Sequence, residues 1–477
     1  MVFANATAGF VFFALMSAVA LCIGGNDPLN SEPQRALWYT WLSAGFGFGA
    51  LATIVAMLAA QKPLRLSIST IFVFALVLRL IAAWAWPLLE DDYFRYLWDG
   101  RQTVLTLSPW AHPPEYFFAA DGLFDGLPPE REQQWHWVLN NINYPELPSV
   151  YGPVLQYLFA LAYFLAPAQL GAIQGLLLLV DMGILVSLYR MGVGKTWLAA
   201  YAVHPLILKE AIASAHPDIV VGLALLWVVY GWKQHKPILV GIALGCALAT
   251  KISALMTLPF ILIGPSWISR NRVDLMWPVT VLASCAITLL VLYVPLLQAS
   301  GSEWYSLQTF AQQWRFNPLL FRVIESAFVM GGFTGNSARF FAIVCIGLGV
   351  IALLLFWLKP RTNKKSKRIN EGLNLPPVDL ALLVLLLFSP VVNSWYWLWL
   401  LPLTVLLNRP WLFVYCCFCV LSYGHSGVLT VLNADSLFYV PWWNTVLQLG
   451  VLALCFGIAH QGQKNLNLTL LGVTKSA

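Results

Sequence analysis

The chain has 477 residues, 59% hydrophobic and only 10% charged, with a mean hydropathy of +0.73 and a formal net charge of +6. Apolar runs of spanning length recur from end to end, which excludes an ordinary soluble domain, and their continuity excludes a barrel of short alternating strands. The basic residues lie in short loops between the runs, which suits anionic lipid headgroups and not nucleic acid.

The composition therefore predicts an all-α polytopic membrane protein, a bundle of about 12–14 transmembrane helices by the 20-residue rule. Residues 1–65 carry two apolar runs. The first lacks a basic leading region and a clear cleavage site, so it reads as a retained helix. Leu66–Pro87 is the next run, and Glu90–Arg101 follows it directly. Half of that segment is charged: Glu90, Asp91, Asp92, Arg95, Asp99 and Arg101. Carboxylates at the exit of a membrane helix are costly beside lipid and mark function.

The connection 87–148 is the longest expected outside the membrane. It carries Trp98, Trp110, Trp135 and Trp137 and many prolines, so it is expected to be partly helical, with a short interfacial helix over Gln133–Leu139. Its alternative role is a structural cap over the bundle. Tyr151–Ala166 and Pro318–Met330 are short or polar for crossings and read as interfacial or re-entrant helices. Lys236–Ile263, with Lys251 at its middle, and Val378–Asn408, with Pro390 to Tyr396 at its middle, each read as two short helices meeting at the outer face.

Basic residues belong in cytoplasmic loops. The richest stretch, Lys359–Arg368, is placed there within a loop 359–370, and the other short basic turns fall on the same side, with both termini inside. The chain then divides into two N-terminal helices (1–65), a membrane core (66–335) and C-terminal helices (336–477). The outer face receives Glu90–Pro148, His216-Pro217-Asp218, Lys251, Gly301–Asn317 and Asn393–Trp397.

Asp91 and Asp92 are adjacent, so they point about 100° apart on a helix and oppositely in an extended turn. One is expected to act while the other positions or caps. An ionised carboxylate can serve as general base towards a hydroxyl, with Arg95 holding it charged; the plainer reading makes Asp92 a helix N-cap. His216 and Asp218 flank Pro217 and are either substrate contacts or a simple turn. Lys251, alone in an apolar stretch, either binds phosphate or reaches towards headgroups. Arg315 is a second phosphate candidate, and His112, Trp395 and Tyr396 are candidate sugar or lipid contacts. His235, His425 and His460 read as incidental.

The eight cysteines, Cys22, Cys246, Cys285, Cys345, Cys416, Cys417, Cys419 and Cys455, all lie in apolar runs without metal-ligand spacing and read as packing residues. Gly194-Lys195-Thr196 lacks the first glycine of a phosphate-binding loop. No cofactor is expected, although the acidic loop leaves room for a divalent ion.

The stretch Asp92-Tyr93-Phe94-Arg95-Tyr96-Leu97-Trp98-Asp99-Gly100-Arg101 resembles the first outer loop of bacterial GT-C superfamily mannosyltransferases that use polyprenyl-phosphate sugars. The likeness continues through Ser108-Pro109-Trp110-Ala111-His112-Pro113-Pro114 and Asn143-Tyr144-Pro145-Glu146-Leu147-Pro148-Ser149-Val150-Tyr151-Gly152-Pro153. It recurs at His216-Pro217-Asp218, Lys251 and Trp314-Arg315-Phe316-Asn317, with a looser echo at Asn393–Pro402. The series is specific for the superfamily and not for the sugar. Gly152 stands where a proline is usual, which predicts a looser turn, and the first two helices look like an addition outside the catalytic core.

The resemblance implies Asp92 as catalytic base, with Asp91 as the alternative. It also matches His216, Asp218 and Lys251 to its polar positions, and with the residues singled out above the candidate substrate contacts are Arg95, Asp99, Arg101, His112, Tyr151, His216, Asp218, Lys251, Arg315, Trp395 and Tyr396. The implied reaction is an inverting transfer of a hexose, mannose first, from a polyprenyl-phosphate donor to a lipid- or glycan-linked acceptor hydroxyl. It would take place at the extracytoplasmic face of a bacterial plasma (inner) membrane. The rival class is a transporter or flippase of lipid-linked sugars, which should show inverted repeats and mid-membrane ionisable groups; no matching halves are visible.

Overall fold

The computed structural model describes residues 66–85, 87, 90–120, 122–270, 274–297, 303–359, 375–423 and 440–470. The two helices expected in 1–65, the basic loop beyond Lys359, Cys22 and His425 lie outside the described residues.

Among the described residues the regular structure is helical, with one isolated parallel bridge between Phe316 and Val391. In chain order come α1 (Ile68–Trp84), α2 (Tyr93–Thr106), α3 (Pro129–Asn140), α4 (Pro153–Leu165), α5 (Leu170–Arg190) and α6 (Lys195–Ala202). A π-helical turn (Ile207–Ala213) leads to α7 (Ile219–Lys233) and α8 (Pro237–Thr250). The larger helices after these are α9 (Met276–Tyr293), α10 (Trp304–Gln313), α11 (Leu320–Met330), α12 (Gly335–Leu358), α13 (Val378–Phe388) and α14 (Trp442–Leu470). Proline opens α3, α4 and α8, where its missing N–H is no loss.

Three of these helices are long and apolar enough to cross a membrane: Leu170–Arg190, Met276–Leu296 and Gly335–Leu358. Most other expected crossings in the described residues are apolar helices of 10–17 residues. Breaks explain the shortening. The run from Lys236 is interrupted at Lys251, whose extended backbone (φ −156°, ψ 126°) ends α8 before a 3-10 turn resumes. The run from Val378 breaks after Phe388 and restarts as a 3-10 turn at Ser394–Trp399. Both runs are thus paired short helices, as their central polar residues predict. The interfacial helix expected at Gln133–Leu139 is the longer α3.

The core forms around α7, which is apolar on every side and buried at Val221, Leu225, Val228 and Trp232. It packs against α5, α8 and the Ser394–Leu406 segment. Helices α8 and α9 approach closely because Gly241 and Gly245 face α9; a Cβ on Gly245 would sit 2.8 Å from the Thr288 Cβ. The outer helices turn apolar side chains outward, among them Leu282, Ile287 and Leu290 on α9 and Phe340, Ile343 and Leu355 on α12. Only 17% of the apolar window of α9 or α12 is buried, against 50% for α5, so these two present belts suited to lipid.

One buried ion pair fixes the first helix. Arg79 Nε lies 2.6 Å from Asp181 Oδ2, with both side chains fully buried, and Tyr201 donates to the same carboxylate at 2.7 Å. A second Arg79 nitrogen reaches the Ala202 carbonyl. This cluster joins α1 to α5 and α6, and the charge is tolerated because every partner is internal.

Candidate functional site

The polar segments that the sequence places on one face converge on a single cavity of about 530 Å³. Its lining joins polar residues, among them Asp91, Asp92, Arg95 and Asn143, to apolar ones, among them Leu248, Ile252, Leu307, Phe310 and Trp314. Lys251, Arg315, Tyr151, Trp395 and Tyr396 also line it.

Asp92 occupies the N-cap position of α2, yet its side chain makes no capping hydrogen bond. Its backbone carbonyl starts the helix by accepting from Tyr96 N at 3.3 Å, which leaves the carboxylate free to face the cavity. Tyr93 and Phe94 anchor this first turn in the core, Phe94 packing edge-on against Trp137. Asp91 also lines the cavity, where it accepts from the Asn143 side chain. The two neighbouring carboxylates therefore share the cavity with different partners, Asp91 with Asn143 and Asp92 with His216.

Burial pushes the Asp92 carboxyl up to about 6, against the opposing pull of His216 and Lys251 and with further upward push from Asp91 and Glu90. Burial also raises Asp91, offset by its hydrogen bond from Asn143.

Behind Asp92 lies a charged floor supplied by the π-helical turn, a device common at functional sites. Lys209 Nζ meets Glu90 at 2.6 and 2.9 Å and Glu210 at 3.3 Å, and bonds to the Tyr423 hydroxyl. Ser214 donates to Glu90 at 2.9 Å, and Tyr423 donates to Glu210 at 2.8 Å. His216, fully buried, places Nδ1 3.1 Å from Glu210 and Nε2 3.9 Å from Asp92 Oδ2. Its ring stacks on Trp395, with centroids 3.8 Å apart and planes 12° from parallel. Burial disfavours the imidazolium, but the carboxylates of Glu210, Glu90 and Asp92 outweigh it and raise the His216 pKa.

Asp218 accepts from Lys251 Nζ at 2.7 Å and from Trp399 Nε1 at 2.6 Å. The same ammonium lies over the rings of Tyr396 and Trp399, 4.3 and 5.0 Å from their centroids. Arg315 is half exposed and pairs with Glu325 at 2.7 Å. Both expected phosphate ligands thus reach the cavity while already holding a carboxylate.

Several sequence expectations change. Arg95 lines the cavity, but its guanidinium donates to the carbonyls of Leu147, Asn143 and Tyr144 at 3.0, 3.0 and 2.9 Å. It staples the 143–147 loop instead of bonding to Asp92. Asp99 is buried beneath the cavity wall, accepting from Ser149 and from Gln156 at 3.3 Å. Arg101 lies away from the cavity, covered by the rings of Trp98, Phe124 and Trp135. His112 is exposed and stacks on Tyr116 at 4.2 Å, also outside the lining. His216 and Asp218 stand one layer behind the lining and reach it through Asp92 and Lys251. Tyr151 does line it, with its hydroxyl 3.5 Å from that of Tyr96. The Gly152 turn is tight, not loose: a Cβ there would overlap the Ala249 carbonyl at the end of α8.

Lys209, Glu210 and Tyr423 were not among the sequence candidates. The Lys209-Glu210 pair inside an apolar stretch was the available signal; Tyr423, far along the chain in another apolar run, gave none. Among the described residues Glu90, Glu210 and His216 form a group whose ligand atoms lie within 4.8 Å of one another. Lys209 already contacts both glutamates, so its ammonium offsets part of their charge.

No protein-family model, curated protein or solved structure matches this chain.

Proposed function

We propose that this protein is an integral membrane glycosyltransferase of the GT-C type. It transfers a hexose, mannose first among candidates, from a polyprenyl-phosphate donor to a hydroxyl of a lipid- or glycan-linked acceptor outside the cytoplasm. The observation that carries the reading is the Asp92 carboxylate, which makes no helix-capping bond and lines a cavity of mixed polar and apolar residues.

Asp92 takes the proton of the acceptor hydroxyl as its oxygen attacks the anomeric carbon. The bond from that carbon to the phosphate oxygen breaks, its electron pair leaves with the phosphate, and the configuration inverts. Phosphate is a good leaving anion, so no general acid is needed. Lys251 and Arg315 stabilise its growing charge, each exchanging part of its carboxylate contact for the phosphate. The polyprenyl chain rests against Leu248, Ile252, Leu307 and Phe310, and the sugar lies against Trp395 and Tyr396. A working pKa of about 6 suits a base at neutral pH, being ionised at rest yet able to accept a proton.

The test is a panel of radiolabelled polyprenyl-phosphate sugars given to the purified protein in lipid nanodiscs, with and without chelator. Label appearing in an acceptor-linked product supports the reading; retention of label on every donor contradicts it.

A further inference from the structure

The sequence reading makes His216 a substrate contact, but the geometry gives it another role. The ring is fully buried and does not line the cavity. The chain holds this residue at three points. Glu210 meets Nδ1 at 3.1 Å, Trp395 covers one face at 3.8 Å, and the backbone N–H of His216 donates to the Glu210 carbonyl at 2.9 Å. The turn that brings it there is tight: Ala215, just before it, has a φ of 57°. The remaining nitrogen, Nε2, is directed to Asp92, 3.9 Å away.

We infer that His216 is a positioning residue for Asp92, a buried imidazolium clamped by Glu210 and Trp395 that holds the carboxylate ionised and aimed into the cavity. The inference rests on the proposed role of Asp92, but its geometry does not depend on the identity of the sugar.

The chain of contacts runs from the π-helical turn to the base. Tyr423 and Lys209 hold Glu210, Glu210 lies against Nδ1 of the ring, and Nε2 lies 3.9 Å from Asp92. Carboxylates beside both ring nitrogens favour the protonated form, which places positive charge next to Asp92. Other charges also act on the pair. Asp91 and Glu90, from the same segment, oppose ionisation of Asp92, while Lys251 at the end of α8 favours it. Arg95 on α2 also acts on Asp92, and Glu90 acts on His216. The phenols of Tyr96, Tyr144, Tyr151 and Tyr396 are all pushed above their ordinary value by burial and stay neutral at working pH.

The experiment follows Asp92 itself in the full-length protein in nanodiscs. Difference infrared spectroscopy across pH records its carboxyl band, assigned by its loss in Asp92→Asn. His216→Phe keeps the stack on Trp395 and removes the charge, and His216→Gln is the second variant should the first fail to fold. Either raises the Asp92 midpoint by about one pH unit or more, the effect of an opposite charge at this range. In Glu210→Gln, isotope-labelled histidine followed by NMR shows the His216 ring losing its proton at lower pH than in the wild type. Transfer measured on the same samples shows the acid limb of kcat moving upward with donor KM little changed. A midpoint that stays or falls on removal of His216, or a His216 titration indifferent to Glu210, overturns the inference. Absence of transfer with every donor while the infrared shift persists overturns the glycosyltransferase reading alone.

Discussion

Arg95 offers a sharp test, because the sequence and the structure assign it different work. The sequence gives it the task of keeping a neighbouring carboxylate charged, which any cation could share. In the structure its planar fork donates to three carbonyls, those of Asn143, Tyr144 and Leu147. Those bonds hold a loop in which Tyr144 has a φ of 50° and Asn143 reaches Asp91. A lysine keeps the charge but cannot span three acceptors in one plane. At about 1 kcal/mol for each bond, Arg95→Ala loses about 3 kcal/mol of local stability and Arg95→Lys about 2. Those losses correspond to roughly 100-fold and 30-fold more frequent opening of the loop. The reporter is hydrogen exchange at the Leu147 amide, which donates to the Tyr144 carbonyl at 3.1 Å. Protection there should fall in both variants, while that of α7 changes little. Wild-type protection of Leu147 in Arg95→Lys would refute the staple and restore the simple charge role.

Other consequences are open to measurement. Arg79→Leu strands Asp181 in the bundle and should cost about 3–5 kcal/mol, read as a lower unfolding midpoint in detergent; the double change with Asp181→Leu should recover most of it. A failure of the double change to recover would refute the pair as the cause. Gly245→Leu drives a side chain into Thr288 and should destabilise by about 1–3 kcal/mol in the same assay, whereas Gly347→Leu, with open space around its backbone, should not. The rate of transfer at saturating donor should fall about tenfold per pH unit below about 6, because protonated Asp92 cannot act as base. A rate flat from pH 7 down to 4.5 would exclude Asp92 from that role.

Much of the cavity was legible because lipid is a harsh solvent for charge. Polar groups at the ends of apolar runs must gather where protein covers them, so Asp92, Lys251 and Trp395 meet although the chain separates them widely. Lys251 announced a helix break because a charge cannot lie at the middle of an apolar span without an end nearby. Helix geometry could have sorted the acidic cluster further. Asp99 follows Asp92 by seven residues, on the same face of α2 but about 10 Å deeper, which is why it is buried beneath the wall. Arg101 follows by nine, about 180° round, and so meets Trp98, Phe124 and Trp135 instead. The π-helical turn was not legible, since nothing in Ile207–Ala213 marks an extra residue per turn. That turn places Glu210 beside His216, a contact that local patterning did not predict. Tyr423 and the buried Arg79–Asp181 pair depend on tertiary contacts between distant helices, which local patterning does not report.

Removal of the proton from an attacking hydroxyl by Asp92 is open to a single comparison. Wild-type protein and Asp92→Asn, matched for folding by detergent unfolding midpoint, are given the same radiolabelled polyprenyl-phosphate hexose and acceptor, and donor binding and product formation are measured separately. Asp92→Asn should bind donor about as well as the wild type and turn it over at least about 100-fold more slowly, within the range general base catalysis supplies. Wild-type turnover by a folded Asp92→Asn would contradict it.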